Sequence, residues 1–184
     1  MASLPNSKTV TYEEWLRMPE VSDAIEEVVN GEIRLEPAPS WQHIEIVGNV
    51  SYLIGRQVDR RGVQKATRFN LIIRRQPLTA REPDLAVFQA STIVEQDGRV
   101  HSAPQLIVEV LSPANTRRER EEKLADYASL GVPEVWEMAP EDRTVEVLYL
   151  EDGHYRSQGV LTEGILKPRH FPDVQIDISE VWPD

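Results

Sequence analysis

The run Gln105 to Leu111 is apolar except at its polar start and at one carboxylate, Glu109, set among Ile107, Val108, Val110 and Leu111. A short apolar run of this kind reads as a buried strand. Taking an ionised carboxylate out of water costs on the order of several kcal/mol unless a cation or hydrogen-bond donors compensate it. The chain must therefore fold so that a partner meets Glu109. Downstream, Ser112-Pro113 turns the chain, and Thr116-x-x-Glu119 is a capping box opening a helix that ends at Leu130-Gly131. Glu134 to Met138 reads as the next strand, which makes a βαβ unit with parallel neighbours. The fold class is α/β.

Upstream, residues 1–10 are polar and without periodicity, as in a flexible arm, and 11–184 is long enough for one domain with its own core. Thr11-x-x-Glu14 predicts a helix through about Met18, ended by Pro19. Asn30-Gly31, between Val28-Val29 and Ile33-Arg34-Leu35, predicts a hairpin. Ser40 caps a helix expected over 41–61, with Ile44, Val47, Val50, Ile54 and Val58 at helical spacing. Residues 67–74 and 83–88 read as strands and 89–103 as a polar excursion turning at Asp97-Gly98. Residues 144–150 and 154–160 flank Asp152-Gly153 as a second hairpin, and 174–178 is a candidate terminal strand.

No apolar run reaches the roughly 18 residues of a membrane helix, and no basic segment precedes an apolar one at the N-terminus. Zero cysteines exclude disulfides and thiolate metal sites, so a cytoplasmic location without membrane association is expected. The net charge of −11 opposes binding of nucleic acid overall. Yet Arg56, Arg60, Arg61, Lys65, Arg68, Arg74, Arg75 and Arg81 stand against Asp59 alone within 56–81. That belt is either a surface for a polyanion or a solvated set of local ion pairs.

The constellation that could carry chemistry is Asp84, Glu109 and Lys123. If the strand that Asp84 opens neighbours that of Glu109, the two carboxylates converge and can hold a hard divalent cation through oxygen. Lys123 lies on the border of the buried face of the following helix, one turn before Tyr127. Asp84 has the alternative of capping a turn after Pro83, and Lys123 that of a snorkelling surface lysine. Glu109 needs a buried partner under any reading.

Glu27-Val-Val-Asn-Gly31-Glu32, His43, Pro83-Asp84, Pro104-x-Leu-Ile-Val-Glu109-Val-Leu-Ser112-Pro113, Lys123-x-x-x-Tyr127 and Gly131-Val-x-Glu134-x-Trp136 together resemble the Uma2 putative restriction endonuclease family, placed in the PD-(D/E)XK nuclease superfamily. The resemblance covers about residues 11–182. It implies a restriction-endonuclease-like core, a central mixed β-sheet flanked by helices, and Mg2+-dependent (or Mn2+-dependent) endonuclease cleavage of DNA phosphodiester bonds. Asp84 and Glu109 then take the metal. The lysine of the superfamily motif is absent at Leu111, and Lys123 matches its displaced equivalent on the helix. Glu27 matches an additional acidic residue, His43 lines the same cleft, and Arg68 and Arg74 of the belt are candidate DNA contacts. Cutting both strands calls for two sites, hence a homodimer. The alternatives are a non-catalytic binding module that retains the fold, and hydrolysis of a different phosphoester.

Overall fold

The computed structural model describes residues 9–19, 21, 24–113 and 115–183. In chain order the elements are α1 Tyr12–Trp15, β1 Ala24–Val29, β2 Glu32–Pro37, α2 Trp41–Gly55, β3 Val63–Ala66, β4 Leu71–Arg75, β5 Leu78–Arg81 and β6 Leu85–Gln89. There follow β7 Glu95–Gln96, β8 Arg99–Val100, β9 Leu106–Val110, α3 Arg117–Leu130, β10 Glu134–Ala139, β11 Thr144–Glu151, β12 His154–Leu161, β13 Ile165–Leu166 and β14 Ile176–Asp177. Of the arm expected over residues 1–10, residues 1–8 lie outside the described residues.

The strands form two six-stranded mixed sheets, in the orders β2-β1-β5-β4-β8-β7 and β12-β11-β10-β9-β6-β3, with β13-β14 as a small pair. The α/β expectation holds, but with two large sheets where one central sheet was expected. The difference comes chiefly from β5, whose Thr79 and Arg81 hide a fully buried strand inside a stretch that reads as polar loop.

β9 and β10 pair in parallel around α3, as the βαβ reading requires. Thr116 and Glu119 close their capping box, and Gly131 ends α3 at φ 85°, a left-handed conformation that suits glycine. Asn30-Gly31 and Asp152-Gly153 turn their hairpins with positive φ at both residues. Two helices are shorter than expected. α1 stops at Trp15, and α2 stops at Gly55, so Arg60 and Arg61 lie beyond the helix rather than in its last turns. The buried face of α2 is Ile46, Val50, Leu53 and Ile54, while Ile44 faces solvent.

Alternation along β9 decides what each residue meets. Leu106, Val108 and Val110 pack with α2, β14 and the C-terminal segment. Ile107 points to the opposite core, which Tyr127, Val132, Phe88 and Leu71 share, and Glu109 points the same way, toward α3. A strand covered on both faces is apolar throughout, which leaves the single carboxylate conspicuous.

Candidate active site

The chain passes from the first sheet to the second through Glu82-Pro83-Asp84, between β5 and β6. β6 runs antiparallel to β9 with Leu85 opposite Val108. Asp84 immediately precedes Leu85 at the end of that register, and its charge acts on Glu109. The Val110 backbone N–H donates to Asp84 Oδ2 at 2.7 Å. His43, in the first turn of α2, brings Nε2 to 2.9 Å from Asp84 Oδ1.

Both oxygens of Glu109 are met from α3. The Lys123 ammonium donates to Oε2 at 3.0 Å, and the Tyr127 hydroxyl donates to Oε1. Lys123 and Tyr127 are one helical turn apart, so a single helix face supplies both. Lys123 Nζ also lies 3.4 Å from Glu27 Oε1. Behind Glu27 runs a buried ion network: Arg81 donates to Glu27 Oε2 at 2.7 Å and, through Nε and Nη2, to Asp126 Oδ2 at 2.9 and 2.7 Å. The Glu82 N–H donates to Glu27 Oε1 at 3.1 Å. α3 thus ties the two sheets together at the site.

Four of the residues singled out from the sequence, Asp84, Glu109, Lys123 and Glu27, come together here with His43. Arg74 reaches Asp126 at 3.2 Å and Asn30 at 2.6 Å, on the flank of the network. Arg68 is exposed, and its charge acts on Glu82. The basic belt is dispersed: Arg56 pairs with Glu180, Lys65 bonds Ser51, Arg75 lies over the Tyr12 ring, and Arg81 is buried. Sequence reading missed the roles of Arg81, Asp126 and Tyr127. The signal for Tyr127 was its spacing from Lys123; a buried arginine inside a run of arginines has none.

Burial pushes the Glu109 carboxyl up to about 7; the Lys123 charge opposes the rise and Asp84 adds to it. Burial also disfavours the Lys123 charge, but Glu109, Glu27 and Asp84 outweigh it and hold the amine above the usual lysine range. Burial likewise raises Glu36 and Glu82, whose neighbours include Lys123, Glu27 and Asp84. Acids therefore outnumber cations around the cleft. Among the described residues no three His, Asp or Glu side chains form a metal cage. Two neighbouring carboxylates in an acidic cleft still fit Mg2+ or Mn2+, because a small hard cation keeps several waters and needs few protein ligands.

One expected result follows directly. Glu109 in the metal-free protein should titrate near pH 7, observed by NMR, and saturating Mg2+ should move the midpoint down. A carboxyl raised in the folded state contributes stability that is present below its unfolded value, 4.5, and lost as pH rises through about 7. The stability difference between wild type and Glu109→Gln should vary across that window; a flat difference would contradict the assignment.

The family model Uma2, described as "Putative restriction endonuclease", matches residues 12–179. A crystal structure of a "putative nuclease belonging to DUF820" from Anabaena variabilis ATCC 29413 superposes with a TM-score of 0.77. The two chains are 22% identical, and the match covers 94% of this chain and 97% of the other. That likeness is one of fold. No curated protein matches the chain.

Proposed function

Because the chain belongs to the Uma2 putative restriction endonuclease family, we propose that residues 11–184 form a single nuclease domain that hydrolyses DNA phosphodiester bonds at the Asp84, Glu109 and Lys123 cleft. The observation that carries this reading is that Asp84, held by the Val110 N–H, lies close enough to Glu109 for its charge to raise the Glu109 carboxyl, with the Lys123 ammonium 3.0 Å from Glu109. A divalent cation held by Asp84 and Glu109 would supply the positive charge that stabilises the phosphate as negative charge develops on it.

The chain's own residues do the rest. The Val110 N–H and His43 fix the Asp84 carboxylate from two sides, which keeps it aimed at the cleft. Tyr127 holds Glu109 in one orientation. Lys123 carries its charge on a side chain long enough to reach a phosphate oxygen or the attacking water, and it stays protonated throughout the working pH range. Glu27, locked by Arg81, keeps Lys123 on the cleft side.

The test is cleavage of supercoiled plasmid and of single-stranded DNA with Mg2+ or Mn2+, comparing wild type with Asp84→Asn. Wild type should cleave, and Asp84→Asn should be slower by about 10²-fold or more. Absence of both metal binding in calorimetry and cleavage would replace this reading with that of a non-catalytic binding module.

A further inference from the structure

The excursion over 89–103 turns at Asp97-Gly98, both at positive φ, and its strand β8 joins β4 through Val100, whose N–H donates to the Asn70 carbonyl at 3.1 Å. Between that turn, α1 and the segment before β4 lies a cavity of about 260 Å³. Arg99 lines it. The Arg99 guanidinium lies 5.1 Å from the centre of the Trp15 ring, and its Nε is buried with no hydrogen-bond partner among the described residues. A buried N–H without an acceptor is costly unless a ligand or water supplies one. Glu82 lines the cavity as well; its backbone N–H donates to Glu27, and it precedes Asp84 by two residues, a span of at most about 7 Å. The cavity therefore borders the cleft of Asp84, Glu109 and Lys123.

We propose that this cavity holds one unpaired nucleobase, next in the strand to the phosphodiester at that cleft. The substrate class is then DNA with an unpaired nucleotide, which deepens the nuclease reading and rests on it. The lining offers what the edge of a base needs. Arg99, Arg68 and Asn70 bring N–H donors, Glu82 brings an acceptor, and Met18, 40% exposed, and Phe69 form an apolar wall. Flipped and unpaired bases are held in this way, by hydrogen bonds to the edge and contact with the faces. A bare phosphate is a poorer occupant, because the carboxylates of Glu26 and Glu82 line the same cavity.

Size makes the same choice. Pockets that enclose a drug-sized molecule measure roughly 300–1,000 Å³, so about 260 Å³ admits one base and not a base pair. The base must leave its partner to enter, since the edge it offers is the one that pairing occupies. Arg68 stands exposed at the rim with φ 53°, a backbone conformation uncommon outside glycine, and meets the strand as it enters.

The test is binding, by fluorescence anisotropy in EDTA, of three short duplexes of one sequence: fully paired, with one unpaired central nucleotide, and with that nucleotide abasic. Wild type should bind the second about tenfold tighter than either of the others. Arg99→Gln and Arg68→Ala should each abolish that preference with unchanged circular dichroism. Arg68 is exposed, so its variant serves even where loss of the Arg99 contact with Trp15 disturbs α1. Wild type that binds the bulged and paired duplexes alike, or binds neither, overturns the proposal. Equal binding of the abasic duplex does so too, because the DNA is then held by its phosphates or its bend and not by a base, as does a preference that survives in Arg68→Ala and in a folded Arg99→Gln. Cleavage with Mg2+ separates the two readings. A wild type that prefers the bulge but cuts no DNA keeps the base pocket and loses the nuclease, and one that cuts plasmid without any preference for the bulge does the reverse.

Discussion

Replacing Lys123 by alanine is expected to slow DNA cleavage by about 10²- to 10³-fold, the range typical of losing one preorganised charge from a site. Two further readouts separate this from general damage. Removing the cation removes the strongest influence holding the Glu109 carboxyl down, so its titration midpoint moves above about 7 and residual activity shifts to higher pH. The stability cost of the substitution then depends on pH. Below that midpoint Glu109 takes a proton and needs no cation, so Lys123→Ala loses only the support that the cation gives Glu27; above it the buried Glu109 carboxylate has only Tyr127 as well, and stability falls further. Lys123→Arg, which keeps the charge, should recover part of both effects. Equal plasmid cleavage by wild type and Lys123→Ala, measured from pH 6 to 9, would remove Lys123 from the mechanism.

The largest effect on folding is expected at Arg81. Its side chain is 4% exposed between Glu27, at 1%, and Asp126, at 8%, and it donates three hydrogen bonds to them. Arg81→Met fills the space but removes the nearest cation from two buried carboxylates, leaving Glu27 to Lys123 and the Glu82 N–H, and Asp126 to Arg74, which costs about 3–5 kcal/mol and lowers Tm by roughly 10 °C. Burial opposes the Glu27 charge, and Lys123 and Arg81 together more than offset it, so its carboxyl sits below the usual range. A depressed carboxyl contributes stability present above its unfolded value, 4.5, and lost as pH falls through the folded value. The gap between wild type and Arg81→Met in thermal melts should therefore be wide at pH 7 and narrow in acid. A loss under about 1 kcal/mol at pH 7 would mean that the network is redundant.

Local chemistry made much of this architecture legible. Asn-Gly and Asp-Gly turns, the Thr116 and Glu119 capping box, and the apolar run around Glu109 each act within a few residues, so their outcome shows in the sequence. β5 and the dispersal of the basic belt did not show, because the burial of Arg81 depends on Glu27 and Asp126, 54 and 45 residues away. The end of α2 at Gly55 was obscured by Val58, which packs against the same core from outside the helix. Within the site, Asp84 beside Glu109 could be anticipated as soon as the two strands were taken as neighbours. That Tyr127 and Lys123 divide the two oxygens of Glu109 between them required the packed position of α3.

The spacing of the contacts along the chain also bears on how the site is assembled. Glu109 and Lys123 are 14 residues apart and sit within one β9, α3, β10 unit, whereas His43 joins Asp84 across 41 residues and Glu27 joins Arg81 across 54. Closing a short loop loses less chain entropy than closing a long one. The acid, its lysine and Tyr127 thus close within one local unit, whereas the His43–Asp84 and Glu27–Arg81 contacts close long loops at a larger loss of chain entropy.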